Sequence, residues 1–152
     1  MTDAAEEFIE MMGRHFEEEG TARIAGRLVG MLMLTEAPAS LDELAERLQV
    51  SKGSVSLNAR LLEDWGIAER ITRPGDRRDF YRIAPDVSTR LLERQIARIR
   101  VLDDRIAAVR TRLEPLSDTV RTRLDRAMDF NGAAVRSFTR MLEELRESPG
   151  AE

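Results

Sequence analysis

Cysteine is absent from this 152-residue chain, and lysine, histidine, tryptophan and tyrosine each occur once. Without thiols there is no disulfide framework and no thiolate metal site. The chain has no run of 18 apolar residues and no apolar N-terminal secretory segment, so neither a membrane span nor export is expected. A cytoplasmic location follows as the expectation. His15 has no cysteine and no second histidine to work with, and the chain lacks a Gly-rich phosphate loop. The chain is therefore read as a non-enzyme with no metal and no cofactor.

Net charge is −4, but the charge is unevenly spread. Residues 1–20 hold seven acids against Arg14, net −6, whereas residues 51–82 hold seven bases against five acids, net +2. A local basic footprint outweighs the whole-chain value when a polyanionic partner is considered. Arginine outnumbers lysine 23 to 1 throughout, a bias that genome composition explains as well as function does.

The informative stretch runs from Leu41 to Ile83. Leu41, Leu44, Ala45 and Leu48 follow the i, i+3, i+4, i+7 spacing of one buried helical face, with Ser40 as N-cap and Glu43 closing a capping box. The turn Gln49-Val50 leads to a second helix capped by Ser51. Val55, Ala59 and Leu62 form its inward stripe, bordered by Asn58 and Trp65. The opposite arc carries Gly53, Ser56, Leu57, Arg60 and Asp64, with Lys52 and Ser54 at the helix start.

Ser51, Lys52, Gly53 and Ser54 suit phosphate at a helix N-terminus, where hydroxyls and free N–H groups meet an anion and glycine permits close approach. Ser56, Leu57 and Arg60 lie further along, where an arginine can read guanine and an apolar group can touch a thymine methyl. Taken singly, the serines read as caps and Leu57 as packing; the ensemble supports a recognition helix. Two β-type runs, Ile67 to Thr72 and Phe80 to Ile83, flank Pro74-Gly75, so Arg77 and Arg78 are expected to project from a hairpin tip toward a minor groove. Asp76 and Asp79 are read as holding those arginines.

These residues resemble the MarR superfamily, in Leu41 to Leu48, Ser51 to Ser56, Leu62-Glu63-Asp64-Trp65-Gly66-Ile67 and Asp76-Arg77-Arg78. Ser-Lys-Gly, Asn58 and Trp65-Gly66 resemble its GbsR-like branch. The resemblance implies a winged helix-turn-helix transcriptional regulator in which an Asp-x-Arg, here Asp76 and Arg78, positions the minor-groove arginine. The helix-turn-helix glycine usual in that family is Gln49 here. GbsR-like regulators are associated with compatible-solute metabolism, and a quaternary ammonium effector would call for an aromatic cage.

After Pro85-Asp86 a long helix is expected, with Leu92, Ile99, Ile106 and Leu113 recurring every seven residues and Leu102 and Val109 three beyond. Pro115 should end or kink it, and Ser117 or Asp118 should cap a last helix running to about Arg146. Such a pair can close into an antiparallel hairpin within one chain; with helices near Ala4 to Glu18 and Thr21 to Leu34, a two-fold dimer is the expectation. Gly26 and Gly30 allow another helix to pack closely.

The expected fold is mainly α with a small β-wing, a winged helix-turn-helix with long N- and C-terminal dimerisation helices. The expected organisation is 1–34 N-terminal helices, 35–84 winged helix-turn-helix, 85–147 dimerisation helices and 148–152 disordered tail. The expected function is a sequence-specific DNA-binding transcriptional regulator, a ligand-responsive homodimeric repressor on a pseudopalindromic operator. Its partners are double-stranded DNA, a second copy and a small-molecule effector of unspecified identity, with no membrane. The alternative is a winged-helix protein–protein interaction module without specific DNA binding.

Overall fold

The computed structural model describes residues 2–113 and 115–147; the tail expected at 148–152 lies outside the described residues. The chain divides into two units, the first ending at Val87 and the second beginning at Ser88.

In the first unit, α1 (Asp3–Glu18) packs on α2 (Arg23–Met33). Small residues make this crossing close: a Cβ added to Gly26 would collide with the Met12 carbonyl, and one added to Gly30 would lie 3.0 Å from the Ile9 Cα. Gly13, which the sequence reading passed over, is the reciprocal contact, with the Arg27 side chain over it. Glu10 of α1 fastens the pair by binding Arg23 and Arg27, each at 2.6 Å. Its carboxyl is held below the ordinary range, chiefly by the Arg23 hydrogen bond.

The helix-turn-helix consists of α3 (Leu41–Leu48) and α4 (Lys52–Asp64). The capping box is formed: Glu43 accepts from the Ser40 N–H at 2.7 Å, and Ser40 Oγ accepts from the Glu43 N–H at 3.3 Å. Gln49 closes α3 in the left-handed conformation, φ 54°, the geometry for which glycine is ordinarily used. Leu44, Leu48, Val55, Ala59 and Leu62 are buried with Leu28 and Tyr81 in one core.

Strands β2 (Ala68–Arg73) and β3 (Asp76–Ile83) form the wing hairpin. Both run closer to the tip than the sequence reading placed them. Arg73 pairs with Asp76, leaving a two-residue Pro74-Gly75 turn with Gly75 at φ 80°. Arg77 and Arg78 therefore belong to β3 and not to the tip, in the irregular stretch between the pairs Ile71–Phe80 and Arg73–Asp76 where the register shifts. A third strand, β1 (Ala39–Ser40), pairs with β3 and gives the order β1-β3-β2. Two residues are too few for any alternation pattern, so it was not foreseen.

The second unit comprises α5 (Val87–Arg110) and α6 (Asp118–Glu147). Cross-links Arg110–Asp125 at 2.6 Å, Asn131–Asp103 at 2.7 Å and Arg146–Glu93 at 2.7 Å run in reverse order along the two helices, as in an antiparallel hairpin. α5 ends before Pro115, at Arg110, where the N–H groups of Arg112 and Leu113 tighten onto the carbonyls of Val109 and Arg110. Leu113, expected as a heptad position of this helix, thus lies past its end. Leu92, Ile99 and Ile106 are half-buried, while Leu102, Val109 and Leu113 are exposed.

Candidate nucleic-acid interface

The start of α4 is open. Ser51 Oγ accepts from the Ser54 N–H at 3.2 Å, the N-cap bond expected of Ser51, so that N–H is occupied. The first-turn N–H groups of Lys52 and Gly53 have no intrahelical carbonyl to reach. A Cβ on Gly53 would meet nothing within 4 Å. Lys52 is exposed and bound to Asp42 of α3 at 2.8 Å.

Further along the outward arc, Leu57 is 70% exposed, far more than a packing leucine. Arg60 donates to Ser56 Oγ at 3.0 Å, joining two of the three residues expected to read base edges. Asn58 is buried and donates to the Ser54 carbonyl at 2.8 Å, so it ties the helix start internally.

The wing follows from its register. Across the irregular stretch of β3, Asp76, Arg78, Phe80 and Arg73 still meet on one side of the hairpin: Arg78 binds Asp76, the Arg73 and Arg78 guanidinium groups lie over the Phe80 ring, and Arg73 is the cross-strand partner of Asp76. The Arg78 guanidinium reaches both Asp76 oxygens, the shorter contact 2.7 Å, and its backbone N–H donates at 3.0 Å. These bonds, the side-chain ones first, hold the Asp76 carboxyl at about 2. Asp79 does not hold Arg77 or Arg78: it lies on the other face, 3.9 Å from Arg70. Arg77 is exposed and has no hydrogen bond or ion pair among the described residues. Arg73, which the sequence reading did not single out as a contact, donates to the Pro38 carbonyl at 3.3 Å.

Asp42 links the two parts. It pairs with Lys52, and its charge, with that of Glu43, also acts on Arg78. The start of α4 and Arg78 therefore both lie near the N-terminus of α3. Of the seven bases in residues 51–82, Lys52, Arg70, Arg78 and Arg82 are engaged by carboxylates, whereas Arg60, Arg73 and Arg77 have no carboxylate partner among the described residues. Those three guanidinium groups carry the positive charge still available to a polyanion. Among the described residues, no cluster of histidine and carboxylate residues is arranged to hold a metal ion, and no helix is long and apolar enough to cross a membrane.

The chain is 43% identical over 81 residues to the HTH-type transcriptional regulator MmpR5 of Mycobacterium tuberculosis, covering 53% of this chain and 49% of that protein. It is 31% identical over 83 residues to the HTH-type transcriptional repressor OpcR of Bacillus subtilis, covering 55% of this chain and 45% of that one. The chain thus spans about half the length of the curated relatives it matches. A crystal structure of a transcriptional regulator superposes with a TM-score of 0.88 at 29% identity, covering 95% of this chain and 99% of that one. Residues 20–79 match the MarR family. That match takes in the capped helix pair and most of the hairpin, so the similarity to the MarR family lies in the winged-helix segment of this chain.

Proposed function

We propose that this protein is a sequence-specific DNA-binding transcriptional regulator acting as a homodimer. The observation that carries the reading is the joint presentation, in one unit, of the open start of α4 and a clasped wing arginine near the N-terminus of α3. The start of α4, at Ser51, Lys52 and Gly53, sets register on phosphate; Ser56, Leu57 and Arg60 read base edges in the major groove. Arg78, held by Asp76, enters the adjacent minor groove with Arg77 nearby. The transcriptional regulators to which the chain is similar support this assignment, and a non-enzymatic, cytoplasmic protein belongs to the same reading.

The dimer rests on the second unit. Among its described residues only Ile96 and Leu142 are buried, while Leu91, Val101, Leu102, Val109, Val120, Phe130 and Met141 are exposed. Two helices of 24 and 30 residues need further burial, and a second copy with the same exposed seam supplies it. Two reading heads then meet successive major grooves of a pseudopalindrome, roughly 34 Å apart.

Repression and response to a small-molecule effector complete the proposal; OpcR, which shares 31% identity, is a repressor by name. The GbsR-like branch fits Asn58 inside the helix and Trp65-Gly66 at its end, where Gly66 has φ 74°. A second reading, a winged-helix protein-interaction module, is favoured by the exposure of Leu57, which suits a protein groove as well as a thymine methyl.

The test is genome-wide DNA enrichment with the purified protein, followed by sedimentation and titration on the enriched sites. The expectation is a two-fold related motif bound by a dimer at micromolar protein. Uniform recovery of random DNA by a monomer overturns the reading and favours the interaction module.

A further inference from the structure

Phe80 is as buried as its neighbour Tyr81, yet it stands apart from the core cluster to which Tyr81 belongs. The two alternate across β3, so Tyr81 enters the core and Phe80 lies on the opposite face of the sheet. Its cover there includes charged groups. The Arg73 guanidinium carbon sits 4.0 Å from the ring centroid and that of Arg78 sits 5.1 Å from it.

We propose that Phe80 is a positioning residue for a two-arginine wing, stacking Arg73 and Arg78 so that both meet the DNA groove as a preset pair; this rests on the DNA-binding reading above. A cation is attracted to an aromatic face, and planar guanidinium groups stack on it well. Two like charges on one ring repel, and Asp76 offsets that: it binds Arg78 and is the cross-strand partner of Arg73. The Pro38 carbonyl accepts from the Arg73 guanidinium and holds it as well. Each long side chain thus loses much of its rotamer freedom before DNA arrives, which lowers the ordering cost of binding. Arg73 thereby becomes a groove contact in addition to Arg77 and Arg78.

Phe80→Leu keeps apolar bulk and removes the aromatic face. It should weaken operator binding about fivefold, the scale of one cation–π contact, while Phe80→Tyr retains wild-type affinity. The discriminating measurement is the same Phe80→Leu change in an Arg73→Ala/Arg78→Ala background, where it should have no further effect on binding. A purely structural role would weaken binding by the same factor in both backgrounds, and that result overturns the proposal. Proton NMR of the free protein provides a readout independent of DNA. The δ and ε protons of Arg73 and Arg78 should show upfield ring-current shifts in the wild type that vanish in Phe80→Leu. Ordinary shifts in the wild type refute the stack. If the shifts are present but the wild type binds no DNA, the DNA-binding reading fails and the groove role falls with it.

Discussion

Asp76 holds Arg78 through both carboxylate oxygens and also through the arginine's own backbone N–H, at distances of 2.7–3.1 Å. The same residue pair therefore fixes the strand's local geometry and the direction of its exposed cation. Because the Arg78 side chain is 54% exposed and its ion pair is screened by solvent, Arg78→Ala should cost no more than about 1 kcal/mol of stability. Operator binding should weaken by about 1–3 kcal/mol. Titration at moderate salt with parallel thermal melts checks both; unchanged affinity would identify the wing as a solvated hairpin.

The clasp also sets a pH response. Asp76 is depressed from 3.8 to about 2, chiefly by the Arg78 side-chain bonds, so its contribution is fully present above its ordinary pKa. That contribution is lost as pH falls through about 2. Glu43, lowered chiefly by the Ser40 N–H, and Glu10, lowered chiefly by Arg23, act in the same direction. Thermal midpoints should therefore fall between about pH 4 and pH 2, more steeply for wild type than for Asp76→Asn. Parallel curves would uncouple the clasp from folding.

Lys52 and Asp42 are opposed in their expected effects on DNA. Lys52→Ala should weaken operator and random DNA alike and lower the log–log salt slope by about one. Asp42→Asn frees Lys52 and removes an acid near Arg78, so it should strengthen both. Arg60→Ala should cost more on operator than on random DNA. Equal loss on the two DNAs would reduce Arg60 to a phosphate contact.

Two glycines should separate folding from binding. Gly26→Ala drives a Cβ into the Met12 carbonyl, a backbone atom that cannot rotate aside, and should destabilise by about 1–3 kcal/mol or more. Gly53→Ala meets nothing within 4 Å and should leave the fold intact or slightly stabilised, yet reduce DNA affinity where the backbone approaches phosphate. Urea melts and DNA titrations of both variants test this; a Gly26→Ala protein of wild-type stability would show that α1 and α2 separate freely.

Gln49 is the one non-glycine residue at positive φ among the described residues. Gln49→Gly removes the Cβ clash of the left-handed region and loosens the unfolded chain, with a net gain expected of about 0.5–1 kcal/mol. β-Branched Gln49→Val should destabilise. The urea midpoint at constant slope reports either change.

Much of the winged helix was readable from local chemistry. Ser40 with Glu43, Ser51 before Val55, and Pro74-Gly75 between two β-type runs all act within four residues, the range over which caps and turns form. The outward arc of α4 was legible for the same reason, since helical phase alone separates Leu57 from Val55. Strand ends were less legible. Nothing in Arg73 or Asp76 shows that backbone pairing continues to the turn, and the short β1 exists only because β3 offers it an edge.

Where helices begin, which of their faces turn inward, and that a basic hairpin follows a small-polar helix start can be read along the chain, because each depends on spacing within one segment. Which charges remain available is settled by folding. Asp42 reaches Lys52 across the helix-turn-helix, Asp79 turns to Arg70, and Arg60, Arg73 and Arg77 remain without a carboxylate among the described residues. Ion pairs form between groups that folding brings together from separate elements. Likewise, Phe80 meets two guanidinium groups because the hairpin, with its register shift between the Ile71–Phe80 and Arg73–Asp76 pairs, gathers residues of both strands on one side, which no spacing along either strand reveals.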